Sequence, residues 1–321
     1  MVTGASAGVG RAVARAFARE GASVALLARG QDGLEGARAE VEAAGGKALV
    51  IPTDVAEYEQ VEAAAARAES ELGPIDVWVN NAMTTVFAEF ADVTPEEFRR
   101  ATEVTYLGTV WGTRAALERM LPRDHGTIVL VGSAIAYRGI PLQTPYSGAK
   151  AGIRGFFDAL RCELRHRGSG VHLTMVQLPA HNTPQFDHCR AKMPKKPMPV
   201  PPIYQPEVAA DAVVWAARNR RREVYVGGSA VKVILGSKLA PGFAEWYLAR
   251  TGYDAQQTDE PLGEERAGNL FEPSAGDPGA QGAFGAQARS SSRQFWLTKN
   301  RAWLGLAAAA AVAVLGGRRS H

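Results

Sequence analysis

Across residues 1 to about 250, short apolar β-branched runs alternate with Ala-rich segments of helical period, which leaves a parallel sheet wrapped by helices as the architecture. Ala22 to Ala28, Ala48 to Pro52, Ile75 to Asn80, Thr127 to Ser133, Val171 to Leu178 and Glu223 to Val226 read as strands. Their near-continuous apolar character fits burial on both faces, as a sheet covered by helices requires. The predicted fold is α/β, a doubly wound parallel sheet of the Rossmann kind with seven strands. Its first strand is truncated to Met1-Val2-Thr3. A central strand this short leaves its neighbours underpaired, so a few apolar β-branched residues are expected upstream of Met1.

Between the strands, Arg11 to Glu20 sets Val13 and Phe17 on one face and arginines on another, then stops at Gly21. Thr94-Pro95-Glu96-Glu97 supplies an N-cap, a first-turn proline and a capping acid for a helix reaching about Met120. Eight of the 18 prolines fall between Pro179 and Pro206, which predicts an irregular, lid-like excursion. A further helix is expected near Ser229 to Arg250. Residues 251–294 hold five large apolar side chains and read as a flexible linker between a catalytic domain (1–250) and an apolar C-terminal segment (295–321).

Thr3-Gly4-Ala5-Ser6-Ala7-Gly8-Val9-Gly10 stands directly before the first helix, where backbone N–H groups and the positive helix end can hold a pyrophosphate. Gly4 suits a tight turn, Gly8 a close approach of backbone to phosphate, and Gly10 close packing of helix on sheet. A dinucleotide site that prefers NAD places an acid at the end of the second strand to grip the ribose 2′-hydroxyl. This chain has Ala28-Arg29 there. Arg29, helped by the Ser6 hydroxyl, favours a 2′-phosphate and therefore NADP(H) over NAD(H).

Ser133 ends the fifth strand, the truncated first one included, and Tyr146-Ser147-Gly148-Ala149-Lys150 opens the next helix, with phenol and ammonium one turn apart on a single face. A phenol of reference pKa ~10 is a poor base near neutrality, and a neighbouring cation is expected to lower it. Tyr146 is then the acid/base, Lys150 its tuner and a ribose ligand, and Ser133 the donor to a substrate oxygen.

The order and spacing of these motifs resemble the short-chain dehydrogenase/reductase family in its compact single-domain form, over residues 1 to about 235. Thr3 to Gly10 matches its cofactor loop, and Asp54-Val55 its adenine-contacting pair. Asn80-Asn81-Ala82 matches its Asn-Asn-Ala-Gly motif except that Met83 replaces glycine. Ser133, Tyr146 and Lys150 match its catalytic trio. The resemblance implies NAD(P)(H) chemistry, reversible alcohol–carbonyl conversion, and homodimers or homotetramers. It also marks departures. Thr105 stands where the family usually carries an asparagine that holds a relay water, and Pro179 to Thr183 stands for the segment whose threonine meets the nicotinamide amide. Ile135, Tyr137, Ile140, Leu142, Phe186 and Met193 are candidates for an apolar substrate wall. The expected reaction interconverts a hydrophobic alcohol and its ketone or aldehyde. A non-catalytic NADP(H)-binding scaffold or redox sensor is the alternative, and an epimerase or dehydratase on the same fold is a third.

Charge and cysteine content narrow the partners. Thirty-six basic and 33 acidic residues give +3 with no concentrated basic face, so no nucleic-acid partner is expected. The histidines are scattered without ligand spacing, so no metal is expected. Two cysteines and no secretory signal point to the cytoplasm. Residues 302–317 contain no charge and are flanked by Lys299, Arg301, Arg318 and Arg319, a candidate membrane contact on the short side for a span.

Overall fold

The computed structural model describes residues 1–263, 266, 268–301 and 303. In chain order the first half runs β1 (Val2–Thr3), α1 (Gly8–Arg19), β2 (Ser23–Ala28), α2 (Gln31–Ala43), β3 (Lys47–Pro52), α3 (Tyr58–Leu72), β4 (Val77–Asn80), β5 (Val86–Phe87), α4 (Pro95–Thr102) and α5 (Gly108–Met120). The second half runs β6 (Thr127–Ser133), α6 (Thr144–His166), β7 (His172–Leu178), α7 (Gln185–His188), β8 (Arg190–Ala191), β9 (Lys195–Pro197), α8 (Pro206–Arg218), β10 (Glu223–Tyr225), α9 (Gly228–Leu239), α10 (Pro241–Thr251) and β11 (Gln257–Pro261).

Seven strands pair in parallel in the order β10-β7-β6-β4-β1-β2-β3, the doubly wound arrangement expected. The order reverses between β1 and β4, and a crevice opens there beyond the strands' carboxyl ends, where such sheets bind ligands. β1 is as short as the sequence implies. Val2 and Thr3 pair with Leu26 and Leu27 on one side, and Val2 with Val79 on the other. Separate apolar clusters cover the two faces of the sheet. One joins α1, α2 and α8 through Val13, Leu34 and Val213, and the other joins α3, α5 and α6 through Val61, Ala116 and Phe157. This two-sided burial is why the strands read as unbroken apolar runs.

The Thr94 cap forms as expected: its hydroxyl accepts from Glu97 N–H at 3.2 Å while the Glu97 carboxylate accepts from Thr94 N–H at 2.9 Å. The helix it opens is interrupted by a π turn at Glu103–Leu107 before α5 resumes the α-helical path.

Residues 251–294, expected as a flexible linker, make polar contacts with the body. Arg266 donates to the carbonyls of Phe186 and Asp187 at 2.7 Å each and of Cys189 at 3.1 Å. Gln256 bridges Gln143 and the Pro141 carbonyl, and Phe284 N–H reaches the Asn182 side chain at 2.9 Å. Polar, main-chain bonds do this work, and a search for apolar side chains does not register them. Among the described residues no helix is long and apolar enough to cross a membrane. The expected membrane contact at residues 302–317 lies, Trp303 apart, outside the described residues.

Candidate functional site

The glycine loop bends from β1 into α1 with Gly4 at φ +65° and Gly8 at φ +54°, left-handed conformations that favour glycine. A side chain would also collide at Gly4 and crowd its neighbour at Gly8. A Cβ at Gly4 would lie 2.9 Å from the Ala82 backbone, and one at Gly8 would lie 3.2 Å from the Thr183 side chain. The loop is locked from behind. Thr3 Oγ1 accepts from the N–H groups of Asn81 and Ala82 at 2.9 and 3.0 Å, and Asn81 Nδ2 returns to the Thr3 carbonyl at 3.0 Å.

In front of the loop lies a cavity of ≈ 950 Å³. It is lined by Gly4, Ser6, Gly8, Val9, Arg29, Asp54, Val55, Asn81, Ala82, Ser133, Tyr146, Lys150, Pro179 and Thr183, so motifs spread over 180 residues meet in one crevice. Three expected site residues stand outside that lining. Thr3 and Gly10 serve the loop from behind. Thr105 is fully buried, its hydroxyl donating to Thr84 O at 3.0 Å and accepting from Thr84 N–H at 3.1 Å. Its only donor and one of its two lone pairs are therefore taken up in fixing the Met83-Thr84 loop, and Thr105 does not line the cavity.

The trio sits where β6 ends and α6 begins. Ser133 is 7% exposed at the strand's carboxyl end, Lys150 is 3% exposed, and Lys150 Nζ donates to the Val131 carbonyl at 2.7 Å. The ammonium lies 5.5 Å from the centroid of the Tyr146 ring. Burial pushes the Tyr146 phenol up to about 12, opposed by its hydrogen bond with Ser133, and pushes Lys150 down to about 8. The expected depression of the phenol by its cationic neighbour is not found: desolvation sets the direction, the opposing influence is the Ser133 hydrogen bond, and the ammonium is tied to a backbone carbonyl.

At the adenosine end, Asp54 is engaged by Arg100 in an ion pair and caps Ala56 N–H at 3.0 Å. Arg29 donates to the carbonyls of Asn269 at 2.6 Å, Leu270 at 3.4 Å, and Phe271. Sequence reasoning missed Arg100, residues 269–278 and His181. His181 lines the cavity with Nδ1 2.9 Å from the Pro179 carbonyl, and burial pushes it down to about 4, so it stands neutral. No spacing in the chain could have signalled Arg100 or residues 269–278, whose partners Asp54 and Arg29 lie on distant elements, whereas His181 finds its partner two residues away.

At the opposite end, Ile135, Ile140 and Phe186 line the cavity as expected, joined by Val233, Phe243 and Leu248 of α9 and α10. Leu142 and Met193 pack instead with Phe87 and Cys189, and the Tyr137 hydroxyl is bound to Glu223 at 2.6 Å. The donor set fits a dinucleotide: glycine amides without a Cβ in front of them, a guanidinium at one end and a half-buried phenol at the other.

Comparison with known proteins follows the same lines. The family profile for short chain dehydrogenase matches residues 1–194. The chain is 31% identical to the uncharacterized oxidoreductase YxnA of Bacillus subtilis over 278 residues, 86% of this chain and 78% of that protein. It is 36% identical to the ketoacyl reductase HetN of Nostoc over 228 residues, covering 70% of this chain and 77% of that one. Among solved structures, an alcohol dehydrogenase from the archaeon Thermococcus sibiricus, complexed with 5-hydroxy-NADP, superposes with a TM-score of 0.61 at 27% identity. That match covers 70% of this chain and 94% of the other.

Proposed function

The chain belongs to the short-chain dehydrogenase family, and from that premise we propose that it reduces an apolar ketone or aldehyde to the alcohol with NADP(H), Tyr146 giving the proton. The observation that carries this reading is the convergence of Ser133, Tyr146 and Lys150 with the glycine loop on one cavity. Gly4, Val9, Asn81 and Thr183 would hold the dinucleotide's backbone, with Gly8 giving the room a Cβ would fill, and Arg29 with Ser6 its 2′-phosphate. When bound, the nicotinamide supplies the hydride to the carbonyl carbon.

The protein's own part is proton management. With its pKa raised, the Tyr146 phenol keeps its proton at neutrality, ready to pass it to an oxygen that becomes an alkoxide. Ser133 donates a hydrogen bond to the same oxygen. Lys150, fixed on the Val131 carbonyl, stabilises the phenolate left behind as long as it carries charge. Its pKa near 8 is that of the free protein, which kcat/KM reports. The cationic fraction falls as pH rises through that value. The kcat/KM for reduction is therefore expected to be level below pH 8 and to drop about tenfold per unit above it. A profile measured from pH 6 to 10 that stays level to 10 would refute this role for Lys150.

Apolar residues of α9 and α10 support a hydrophobic substrate. Val233, Phe243 and Tyr247 line the cavity and are also exposed at its mouth, which gives an aliphatic or aromatic chain a continuous apolar path inward. The test is a panel of aldehydes and ketones of rising chain length, followed by loss of NADPH absorbance. Activity confined to short polar carbonyls would count against it. Thr105, drawn off to Thr84, favours a second reading, a scaffold that binds NADP(H) without turnover. Nucleotide binding with no carbonyl-dependent oxidation across the panel would select that one.

Cofactor preference rests on Arg29. Arg29→Ala is expected to weaken NADPH by about 10- to 100-fold, the loss of a charge-assisted phosphate pair, with a smaller loss for NADH. Calorimetric titration with both nucleotides measures it, and an equal loss for the two would remove Arg29 from the 2′-phosphate. Assembly as a homodimer or homotetramer and a membrane contact through residues 302–317 are carried in the same proposal on sequence grounds.

A further inference from the structure

We propose that residues 269–282 form a clasp that closes the adenosine end of the nucleotide cleft and slows release of the bound dinucleotide. The proposal rests on the dinucleotide reading above and concerns a segment beyond the stretch, residues 1–194, that matches the family. This segment lines the adenosine end of the cleft beside the glycine loop and is held there by three donor groups. The Arg29 guanidinium donates to three consecutive carbonyls, those of Asn269, Leu270 and Phe271. The N–H of Gly8, in the loop itself, donates to the Gly279 carbonyl at 3.1 Å. Arg11 forms a paired contact with the Asp277 carboxylate, Nη2 to Oδ2 at 3.0 Å and Nη1 to Oδ1, and its own side chain is only 4% exposed.

These contacts build a wall and leave the space behind it open. Asn269, Ser274 and Pro278 line the same cavity as Ser6 and Arg29, and ≈ 950 Å³ remains with the clasp in place. Arg29 has five N–H donors, of which the carbonyls take three, so two are left for a phosphate. Gly276 and Gly279 adopt φ +68° and +70°, and Leu270 and Ala280 are the buried apolar side chains among residues 269–282. With so little apolar burial, the clasp is held by the Asp277–Arg11 latch and a few backbone bonds. Segments held this way open at lower cost than the core around them. A dinucleotide leaving by the adenosine end must wait for that opening.

Asp277→Asn separates this reading from its opposite. The substitution breaks the charged latch, which a clasp answers with faster release. It also removes a negative charge beside the phosphate-binding end, which would tighten binding if the segment merely competed with the nucleotide. NADPH release is followed by stopped-flow fluorescence of the full chain, chased with excess NADP⁺, in wild type and variant. Hydrogen exchange of residues 269–282 is measured with and without NADPH. We expect release about tenfold faster in the variant, with affinity lowered through the off-rate, and protection of 269–282 in the wild type rising on NADPH binding. Unchanged release, tighter binding in the variant, or no added protection in the wild type overturns the clasp even where NADPH binds. Failure of the wild type to bind NADPH overturns the dinucleotide reading and the clasp with it.

Discussion

Replacing Tyr146 with phenylalanine is expected to lower carbonyl-dependent NADPH oxidation by about 10²- to 10⁴-fold, the range for removing a general acid, while leaving NADPH affinity within about threefold of wild type. The half-buried phenol stands beside Ser133 and Lys150, and its pKa of about 12 means that the proton to be given is present throughout the neutral range. The ring fills the same space without the hydroxyl, so no cavity opens, and thermal stability should be unchanged or slightly raised. Steady-state kinetics with the best substrate of the panel, beside nucleotide titration, measure both halves. Retained turnover in Tyr146→Phe with intact nucleotide binding would show that the proton comes from elsewhere and that the trio's convergence is not the catalytic centre.

What could be read from the chain was whatever the chemistry ties to residue type at short spacing. Val24 to Leu27 and Ile128 to Val131 are apolar on every residue because helices cover both faces of their sheet, and that marks them as strands without reference to anything distant. Tyr146 and Lys150 lie four residues apart on one helix, so their meeting is local, and the glycines of the loop are demanded by its backbone angles. The capping box at Thr94 is legible for the same reason.

What could not be read depends on a partner from far along the chain or on how dry a site is. The tyrosine's pKa follows burial, and so it moved opposite to the direction its neighbour alone suggests. The hydroxyl of Thr105 goes to the backbone of Thr84, 21 residues upstream, which its place in a motif does not disclose. Residues 269–282 contain few apolar side chains, yet Asp277 meets Arg11 across 266 positions and Gly279 meets Gly8. Carbonyls and a carboxylate hold that segment, and neither leaves a periodic trace in composition.

Gly10→Ala tests the loop's geometry most severely, because two effects of opposite sign compete there. Gly10 lies in the first turn of α1, where alanine would improve helix propensity by about 1 kcal/mol. Its added Cβ, however, would fall 2.2 Å from the Gly4 carbonyl oxygen and 2.5 Å from Asn81 Nδ2. Neither neighbour can step aside cheaply. Gly4 is held in a left-handed turn, and the Asn81 amide is bonded to the Thr3 carbonyl while Thr3 Oγ1 receives two backbone N–H groups. The clash therefore wins, and the net cost is expected at about 2–4 kcal/mol, with nucleotide binding lost because Gly4, Asn81 and Ala82 must all shift. Gly155→Ala in α6 is the matched control. It gains the same propensity, and its Cβ would meet nothing within 4 Å, so it should stabilise by about 0.5–1 kcal/mol. Urea unfolding and NADPH titration of the two variants decide the matter. If Gly10→Ala proves as stable as Gly155→Ala and binds nucleotide normally, then helix and loop are not packed as closely as the distances say, and the phosphate cradle must lie elsewhere.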